Sequence, residues 1–394
     1  MITVTLKPGR EGPVRAGHPW VFSGAIASIA GEGPLGSFAR VVATDGSEVG
    51  VGYINTRCSI TVRILSRKLK KPEQIDAEFI RRRLETALSL RRTVVPPDTT
   101  GYRLINGEGD FLPGFVVDVY GHFIVCQCLT AGADLLKSLV VEALVALLSP
   151  RGIYEKSEGG VRQEEGLANV TGVLWGEEPP PLLEIQENGC RFLINIRGGQ
   201  KTGFFFDQRD NRTLAGGLAP GKHVLNGFAY TGGFGIVAAR QGAGRVVSVD
   251  SSGAALQLAR RNWRSNNLAH PQGAFIQADM FSYLRKTVEP FDLIILDPPP
   301  FIRRRQDVAA GVTGYKEINL QALRRLTPGG QLLTFSCSQH LPTTDFLQTV
   351  LFAAADAGRE VQVLRRLTHA ADHPVNLAHP EGTYLKGLWL RVGD

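Results

Sequence analysis

The sequence lacks several features that would place it in a specialised class of protein. Its 394 residues contain five cysteines, an odd number scattered along the chain, so a disulfide framework is not expected and a reducing, cytoplasmic compartment is favoured. No uninterrupted apolar run is long enough to span a bilayer, and the N-terminus lacks the basic and apolar regions of a signal peptide. The sequence therefore predicts neither a membrane protein nor a disulfide-rich secreted one.

The sequence also lacks a large excess of charge of either sign. Lysine and arginine number 44 against 37 acidic residues, which gives a net charge of +7. This balance is compatible with an RNA or DNA partner without requiring one. The hydrophobic fraction of 43% and the charged fraction of 21% are typical of a globular protein, and the length predicts two or three domains.

Changes of pattern divide the chain into three predicted domains. Residues 1–72 hold short β-like runs separated by glycine turns, which predicts a small β-barrel or sandwich. The basic run that closes this domain fits a solvated linker and a nucleic-acid contact equally well. Residues 73–178 predict a compact α+β domain, with a helix from Asp76, strands at 115–119 and 123–129, and a helix over 135–148.

The third predicted domain, residues 179–394, begins after a proline-rich stretch with a β-hairpin around Asn188-Gly189. Apolar strands then alternate with helix-like segments, which predicts a parallel, doubly wound α/β sheet. The predicted strands lie at 224–226, 245–250, 274–279, 293–297 and 331–335.

A glycine-rich loop follows the first of these strands and is the predicted cofactor site. It contains Phe228, Tyr230, Thr231 and Gly232, and glycines there allow the backbone to approach a ligand at a helix N-terminus. Residues 233–238 also match the G-x-G-x-x-A pattern of dinucleotide sites, so NAD is an alternative ligand. The first glycine of that pattern comes several residues late for a dinucleotide fingerprint.

Acidic residues end the next strands and favour an adenosine-containing methyl donor over NAD. Asp250 is placed to accept hydrogen bonds from ribose hydroxyls, and Asp279 to accept one from the adenine amino group. Asp297 ends a further strand and opens the rigid turn Asp297-Pro298-Pro299-Pro300-Phe301. We expect S-adenosylmethionine (SAM), with Asp297 beside it.

Cys337 follows the last predicted strand and is the candidate nucleophile. Carbon 5 of cytosine is a poor nucleophile, and addition of a thiolate at carbon 6 would make it reactive toward a methyl sulfonium. Asp297 would then hydrogen-bond the cytosine at N3 or its exocyclic amine. A helix start at Pro342 offers a dipole that favours the thiolate. The alternative is a buried strand cysteine that acts as a small hydrophobe.

Several longer motifs, in a fixed order, resemble the PUA-domain-containing 23S ribosomal RNA 5-methylcytosine methyltransferases of the RlmI type. They are His18-Pro19-Trp20-Val21-Phe22-Ser23-Gly24, residues 106–114, residues 201–209, the glycine loop, Asp297-Pro298-Pro299, Phe335-Ser336-Cys337-Ser338 and Tyr384-Leu385-Lys386-Gly387. The resemblance implies an N-terminal PUA RNA-binding module, a central domain that helps to form the RNA cleft, and a Rossmann-like class I SAM-dependent methyltransferase domain. It also implies large-subunit ribosomal RNA as the substrate and places Gln208 beside the cofactor.

The chain departs from the resembled family after the Asp-Pro-Pro turn. The family usually has a lysine where this chain has Pro300. Arg303, Arg304 and Arg305 lie just beyond, as a substitute RNA contact or as a solvated loop. Near the N-terminus, Arg15 and His18 are the further predicted RNA contacts, beside a Trp20 that either packs or stacks on a base.

Other chemistries remain open or are disfavoured by the sequence. The base that removes the carbon-5 proton is unassigned, with His340 and water as candidates. An exocyclic-amine or guanine methyltransferase is an alternative, since Asp-Pro-Pro-x-Phe resembles those active sites too, and so is a non-catalytic ribosomal RNA assembly factor. No metal site is expected, because Cys126 and Cys128, and His369 and His373, lack further ligands. The sequence leaves a monomer and a homodimer open.

Overall fold

The computed structural model describes residues 2–69, 71–269 and 272–393, and the chain forms two compact units. The first comprises Met1–Ile185, Ile194–Phe206 and Ala371–Gly382, and the second comprises Gln186–Leu193, Asp207–Ala370 and Thr383–Asp394. No helix in the described part of the chain combines the length and apolarity needed to cross a membrane.

The N-terminal part of the first unit is a six-stranded sheet with the order β2-β6-β5-β4-β1-β3. Its elements are β1 (Ile2–Leu6), α1 (Gly12–Ala16), β2 (Trp20–Phe22), β3 (Ile26–Ala30), β4 (Phe38–Val42), β5 (Glu48–Ile54) and β6 (Ile60–Ser66). Strand β1 pairs in parallel with β4, and the remaining pairs are antiparallel. In β1 the apolar residues Ile2, Val4 and Leu6 are buried while the threonines between them are half-buried, because successive side chains alternate between faces.

The rest of the first unit packs two long helices with a five-stranded sheet of the order β11-β10-β9-β8-β7. Its elements are α2 (Ala77–Val94), β7 (Gly101–Asn106), β8 (Phe115–Tyr120), β9 (Phe123–Cys128), α3 (Ala131–Leu148), β10 (Gly152–Ser157), α4 (Gly160–Glu164) and β11 (Val170–Gly176). The predicted helix start at Asp76 is confirmed, since the Asp76 carboxylate accepts a hydrogen bond from the Phe79 amide. The second helix begins four residues before the prediction, because Thr130 caps it through the Ala133 amide.

Buried polar contacts join these two regions of the first unit. Arg63 of β6 forms an ion pair with Glu165 at 2.6 Å, and both side chains are nearly inaccessible to solvent. The Tyr53 hydroxyl lies 2.8 Å from the Thr130 hydroxyl. The predicted boundaries at residues 72 and 178 stay predictions.

The predicted hairpin around Asn188-Gly189 is confirmed. Strands β12 (Leu183–Glu187) and β13 (Cys190–Ile194) form a two-stranded sheet. Asn188 and Gly189 both have positive φ values, of 50° and 72°, as a type I′ turn requires.

A seven-stranded sheet with the order β16-β15-β14-β17-β18-β20-β19 forms the frame of the second unit. Its strands are β14 (His223–Gly227), β15 (Arg245–Asp250), β16 (Gly273–Gln277), β17 (Phe291–Leu296), β18 (Leu326–Ser336), β19 (Val361–Leu367) and β20 (Lys386–Val392). Its helices are α5 (Arg209–Leu218), α6 (Gly233–Arg240), α7 (Gly253–Ser265), α8 (Met280–Lys286), α9 (Val308–Arg325) and α10 (Thr343–Ala357). The helix start predicted at Pro342 is confirmed.

The sheet is mixed, whereas the sequence predicted a parallel one. Strands β14 to β18 are mutually parallel as expected, but β20 runs antiparallel to both β18 and β19. The prediction missed β19, because most of it is exposed and it carries no continuous apolar signal. It also missed β20, although that strand is an apolar and mostly buried run. The strand order reverses between β14 and β17, so the carboxyl ends of these two strands form the crevice where α/β sheets bind ligands.

Candidate active site

The predicted site residues of the second unit lie at the carboxyl ends of its parallel strands. The glycine-rich loop follows β14, Asp250 ends β15, and Asp279 follows β16 by two residues. Asp297 comes directly after β17, and Cys337 comes directly after β18. Because neighbouring parallel strands end at the same edge, the fold brings the predicted cofactor residues and the predicted catalytic residues to one edge of the sheet.

The loop after β14 has an unusual backbone that its contacts hold in place. Phe228 and Tyr230 adopt φ values of 56° and 47°, in the left-handed region that non-glycine residues rarely occupy. The Tyr230 amide donates a hydrogen bond of 2.8 Å to Asp250 Oδ2. Gly232, with φ of 91°, is the N-cap residue directly before helix α6, where a side chain would be strained.

Asp250 and Asp279 differ in their exposure and in the backbone amides that they bind. Asp250 is half-buried, and its Oδ1 accepts a hydrogen bond of 2.8 Å from the Ser252 amide in addition to the bond from Tyr230. Asp279 is exposed and caps α8, since its Oδ2 accepts a 2.8 Å hydrogen bond from the Ser282 amide. The cap explains in local terms why an acidic residue precedes this helix.

Asp297 is held by a chain of buried amides. Gln208, which is 2% exposed, donates from Nε2 to Asp297 Oδ1 at 2.9 Å. Asn211 in turn donates from Nδ2 to Gln208 Oε1 at 2.6 Å and to the Thr368 carbonyl at 3.0 Å. The segment around Gln208 therefore orients the carboxylate at the end of β17.

Cys337 lies beside the turn that Asp297 opens. Its Sγ is 3.9 Å from the carbonyl oxygen of Pro298, and its side chain is half-buried. The next residue, Ser338, is buried, and its hydroxyl accepts from the Ile302 amide at 3.1 Å and lies 2.9 Å from the Tyr315 hydroxyl. These bonds tie the segment that carries the thiol to the segment that follows the proline turn.

A lysine also reaches this segment from the antiparallel strand. Lys386, the first residue of β20, is 5% exposed and donates from Nζ to the Ser338 carbonyl at 2.8 Å. Burial lowers the pKa of Lys386, while the charge of Cys337 acts to raise it. Burial raises the pKa of Tyr315.

The comparison with protein families gives two matches. The model of the S-adenosylmethionine-dependent methyltransferase family matches residues 167–382. That of the PUA-like domain matches residues 4–67.

Several curated relatives match nearly the whole chain. The chain is 44% identical to ribosomal RNA large subunit methyltransferase I of Shewanella amazonensis over 395 residues, which cover 99% of each chain. It is also 44% identical to the protein of the same name from Photobacterium profundum, with 98% of each chain covered. The chain belongs to this family of SAM-dependent methyltransferases. The resemblance drawn from the motifs is thereby confirmed, and SAM is the cofactor.

Two solved structures show the same fold over their full length. One is a candidate SAM-dependent methyltransferase from Streptococcus mutans, with a TM-score of 0.84, 23% identity and complete coverage of both chains. The other is a candidate methyltransferase solved in complex with SAH, with a TM-score of 0.86 and the same identity and coverage. The predicted fold class, a PUA-like domain with a Rossmann-like methyltransferase domain, is confirmed.

The loop after β14 fits the methyl donor of this family. Thr231 is 3% exposed, and its hydroxyl has no hydrogen-bond partner among the described residues, so it is available to a ligand. A Cβ added to Gly227 at the end of β14 would come within 2.9 Å of Met280 Sδ, so a larger residue here would displace buried apolar side chains beneath the loop.

Aromatic rings around Phe301, at the end of the proline turn, contact one another. The ring centroids of Phe301 and Tyr315 are 4.6 Å apart, those of Phe301 and Phe281 are 5.6 Å apart, and those of Phe301 and Phe228 are 6.3 Å apart. This row connects the glycine-rich loop with the side chain that contacts Ser338.

The predicted RNA contacts fall in both units. Arg15 is exposed on the last turn of α1 and donates to the Ser47 hydroxyl at 2.6 Å. His18 is half-buried, with its Nε2 3.5 Å from a carboxylate oxygen of Glu381. Trp20 is packed, because its Nε1 donates to Glu108 at 2.8 Å and its ring lies 4.3 Å from that of His379.

The arginine triplet belongs to the second unit. Arg303, Arg304 and Arg305 are all exposed, and Arg304 pairs with Asp307 at 3.2 Å. Within the residues that the structure describes, no cluster of three or more histidine, cysteine or acidic side chains is arranged to hold a metal ion.

Sequence reasoning missed the side chains that support the two catalytic candidates. Asn211 was given no role, although it donates to Gln208, the partner of Asp297. Tyr315 and Lys386 were also given none, although both contact Ser338, the residue after Cys337. For Lys386 a signal existed, since it is a lone lysine at the start of an otherwise apolar run.

Proposed function

We propose that this protein methylates carbon 5 of a cytosine in large-subunit (23S) ribosomal RNA, in the cytoplasm, through a covalent bond between Cys337 and the base. The observation that carries the proposal is the position of the Cys337 thiol, 3.9 Å from the Pro298 carbonyl in the turn that follows β17. The thiol and the Asp297 carboxylate thus flank one turn on the edge that also carries the glycine-rich loop. The names of the curated relatives support ribosomal RNA as the substrate.

The proposed chemistry divides between the two side chains. SAM, when bound, supplies an electrophilic methyl group. The Cys337 thiolate adds to carbon 6 of the cytosine, and the electron pair of the 5,6 double bond becomes available at carbon 5, which takes the methyl group. Asp297, oriented by Gln208, accepts a hydrogen bond from the exocyclic amine as the carboxylate, or donates one to N3 as the acid, as charge moves into the ring. A base then removes the carbon-5 proton, and the electron pair left behind re-forms the double bond and expels the thiolate.

The geometry of the strand ends supports an assignment of the cofactor residues. We assign the amino-acid end of SAM to the glycine-rich loop, the ribose hydroxyls to Asp250 and the adenine amine to Asp279. Asp250 has the geometry for this, because each of its oxygens accepts one backbone amide and keeps a second lone pair. The proposed cofactor set is Phe228, Tyr230, Thr231, Gly232, Asp250, Asp279, Asp297 and Gln208.

RNA binding is assigned to the exposed cations of both units. Arg15 and His18 belong to the region that matches a PUA-like domain, and Arg303, Arg304 and Arg305 follow the proline turn. Such cations bind the phosphate backbone rather than specific bases. The target cytosine must leave its stack to reach Cys337, so unpaired or loosely structured RNA is the expected substrate.

Nucleoside mass spectrometry of unmodified 23S ribosomal RNA, after incubation with enzyme and SAM, tests the proposal. We expect 5-methylcytosine, and no product with Cys337→Ala. Cys58→Ala is the matched control, because Cys58 is a half-buried cysteine of the first unit whose pKa burial raises to about 11. RNA containing 5-fluorocytosine should trap an adduct at Cys337, because fluorine blocks the final proton loss.

Two outcomes would contradict the proposal. A methyl group on nitrogen, retained by Cys337→Ala, would indicate an exocyclic-amine or guanine methyltransferase, because a nitrogen lone pair needs no covalent addition. RNA binding without any methyl incorporation would indicate a non-catalytic assembly factor.

A further inference from the structure

A buried lysine lies beside the segment that carries the thiol in the second unit. In the antiparallel pair of β18 and β20, Lys386 is in register with Ser336, one residue before Cys337. Its Nζ extends to the carbonyl of Ser338, one residue after Cys337, at 2.8 Å. The lysine therefore spans the backbone on both sides of the thiol.

The ammonium of Lys386 is buried and forms no ion pair with a carboxylate in the part of the chain that the structure describes. The residue is 5% exposed, and its side-chain hydrogen bond in the described part of the chain is the one to the neutral Ser338 carbonyl. A buried charge that has only neutral partners is costly, and proteins normally pair such a charge with an opposite one. The interaction with Cys337 is the one that favours the charged form of Lys386.

Three other titratable groups lie on the described segments around the thiol, and none of the three is a buried cation. Tyr315 bonds the Ser338 hydroxyl, and its burial favours the neutral phenol. Asp297, on the turn beside the thiol, is acidic and is bonded to Gln208. His340 is exposed on the segment that follows Ser338. Lys386 is the buried cation among these groups.

We propose that Lys386 is the positioning residue that stabilises the thiolate of Cys337 by serving as its counter-ion. The thiol releases its proton to solvent water, which its half-exposed position allows, and the lysine stays protonated and balances the sulfur charge. The inference rests on the proposed role of Cys337 as the nucleophile. It also gives a reason for burying a lysine, since an opposite charge at short range favours the ionised thiol.

The pH dependence of Cys337 alkylation tests this directly. The wild-type protein and Lys386→Met are treated with iodoacetamide between pH 5.5 and 9.5, and the labelled peptides are quantified by mass spectrometry, which resolves the other cysteines. We expect the midpoint for Cys337 to rise by about one pH unit in Lys386→Met, a roughly tenfold loss of thiolate at neutral pH. Lys386→Arg, which keeps the charge, should stay near wild type.

A matched control separates this effect from a general loss of packing. Lys222 is also a partly buried lysine of the second unit whose pKa burial lowers, but it precedes β14 and so lies at the opposite end of the strands. Lys222→Met should leave the alkylation profile of Cys337 unchanged. If the profiles of Lys386→Met and the wild type coincide, the proposal is wrong.

A reciprocal measurement avoids any substitution of the lysine. With lysines labelled with ¹³C at Cε, the Lys386 resonance is titrated by NMR in the wild type and in Cys337→Ser. We expect a lower titration midpoint for Lys386 in Cys337→Ser, because the lysine has lost the opposite charge. An unchanged midpoint would overturn the proposal even if Lys386→Met fails to fold.

Neither measurement uses RNA, so its outcome is separate from that of the methylation assay. A lysine-dependent thiolate together with a nitrogen-methylated product would leave the ion pair standing and refute the cytosine chemistry. A carbon-5 product together with a Cys337 alkylation profile that does not depend on Lys386 would support the cytosine chemistry and refute the ion pair.

Discussion

Replacing Gln208 by leucine tests whether the hydrogen bond to Asp297 matters for the reaction. Leucine is similar in size to glutamine but cannot donate the 2.9 Å bond from Nε2 to Asp297 Oδ1. Asn211 keeps its second bond, to the Thr368 carbonyl, so the loss is concentrated on the carboxylate. Because Gln208 is 2% exposed, water has little access to replace the missing donor.

The expected magnitude follows from the kind of bond that is lost. A hydrogen bond to a charged group contributes about 1.5–3 kcal/mol. If the Asp297 carboxylate is used in the transition state, kcat/KM should fall by about 10- to 100-fold. The assay is transfer of labelled methyl groups from SAM to unmodified ribosomal RNA at subsaturating RNA, with the affinity for SAH measured in parallel by calorimetry.

Gln321→Leu is the control for this substitution. Gln321 also donates to a carboxylate, that of Glu317 at 3.3 Å, but it lies on helix α9 away from the strand ends. We expect activity within about twofold of wild type for the control. A folded Gln208→Leu protein with wild-type kcat/KM would refute the reasoning, because Asp297 would then need no orienting amide.

Three further results are expected. Glu187→Ala should lower the free energy of unfolding of the second unit by about 3–5 kcal/mol in urea titrations, since the buried carboxylate binds Arg212 through two 2.6 Å bonds. The control Asp356→Ala removes an exposed ion pair and should lower the free energy of unfolding by under about 1 kcal/mol. Equal losses of stability in the two variants would contradict the prediction. Thr231→Val should weaken SAH binding by about tenfold in calorimetry, through the loss of a hydrogen bond of about 1.4 kcal/mol, whereas a hydroxyl without a ligand would give an unchanged or more stable protein. Burial lowers the pKa of His379 below 6.5, so the unfolded chain binds the imidazole proton more tightly than the folded chain does. The free energy of unfolding should therefore fall as the pH drops from 7 to 5. His379→Phe should reduce this dependence on pH, and an unchanged dependence would contradict the prediction.

The positions of the main candidates followed from local patterns in the sequence. Apolar runs mark where strands β14, β17 and β18 end, and Asp297 and Cys337 come directly after the last two of these runs. Parallel strands that alternate with helices must place those ends on one edge, so proximity could be expected without coordinates. The Asn188-Gly189 turn and the helix start at Asp76 were predictable for the same reason, since each depends on a few neighbouring residues.

Some local signals have more than one meaning, and the structure shows the additional one. An acidic residue after β16 predicted an adenine contact, and the fold shows that Asp279 also caps helix α8. A carboxylate before a helix serves both purposes equally well in a sequence, because the pattern is the same. The strand predicted at 331–335 was too short, because β18 begins at Leu326 in a segment that contains a proline and two glycines. These residue types also predict a turn.

The amino-acid sequence by itself determined the succession of the parallel strands β14 to β18 along the chain, the residues at their ends and the chemistry that those residues can perform. Only the tertiary structure decided what surrounds them: that β20 runs antiparallel beside β18 and buries Lys386 beside the segment that carries Cys337, and that Gln208 reaches Asp297. The physical reason is the range of the interactions. Strand ends and caps depend on residues a few positions apart, whereas these partners are distant in the chain and meet only because packing selects one pairing of strands and one set of buried polar contacts.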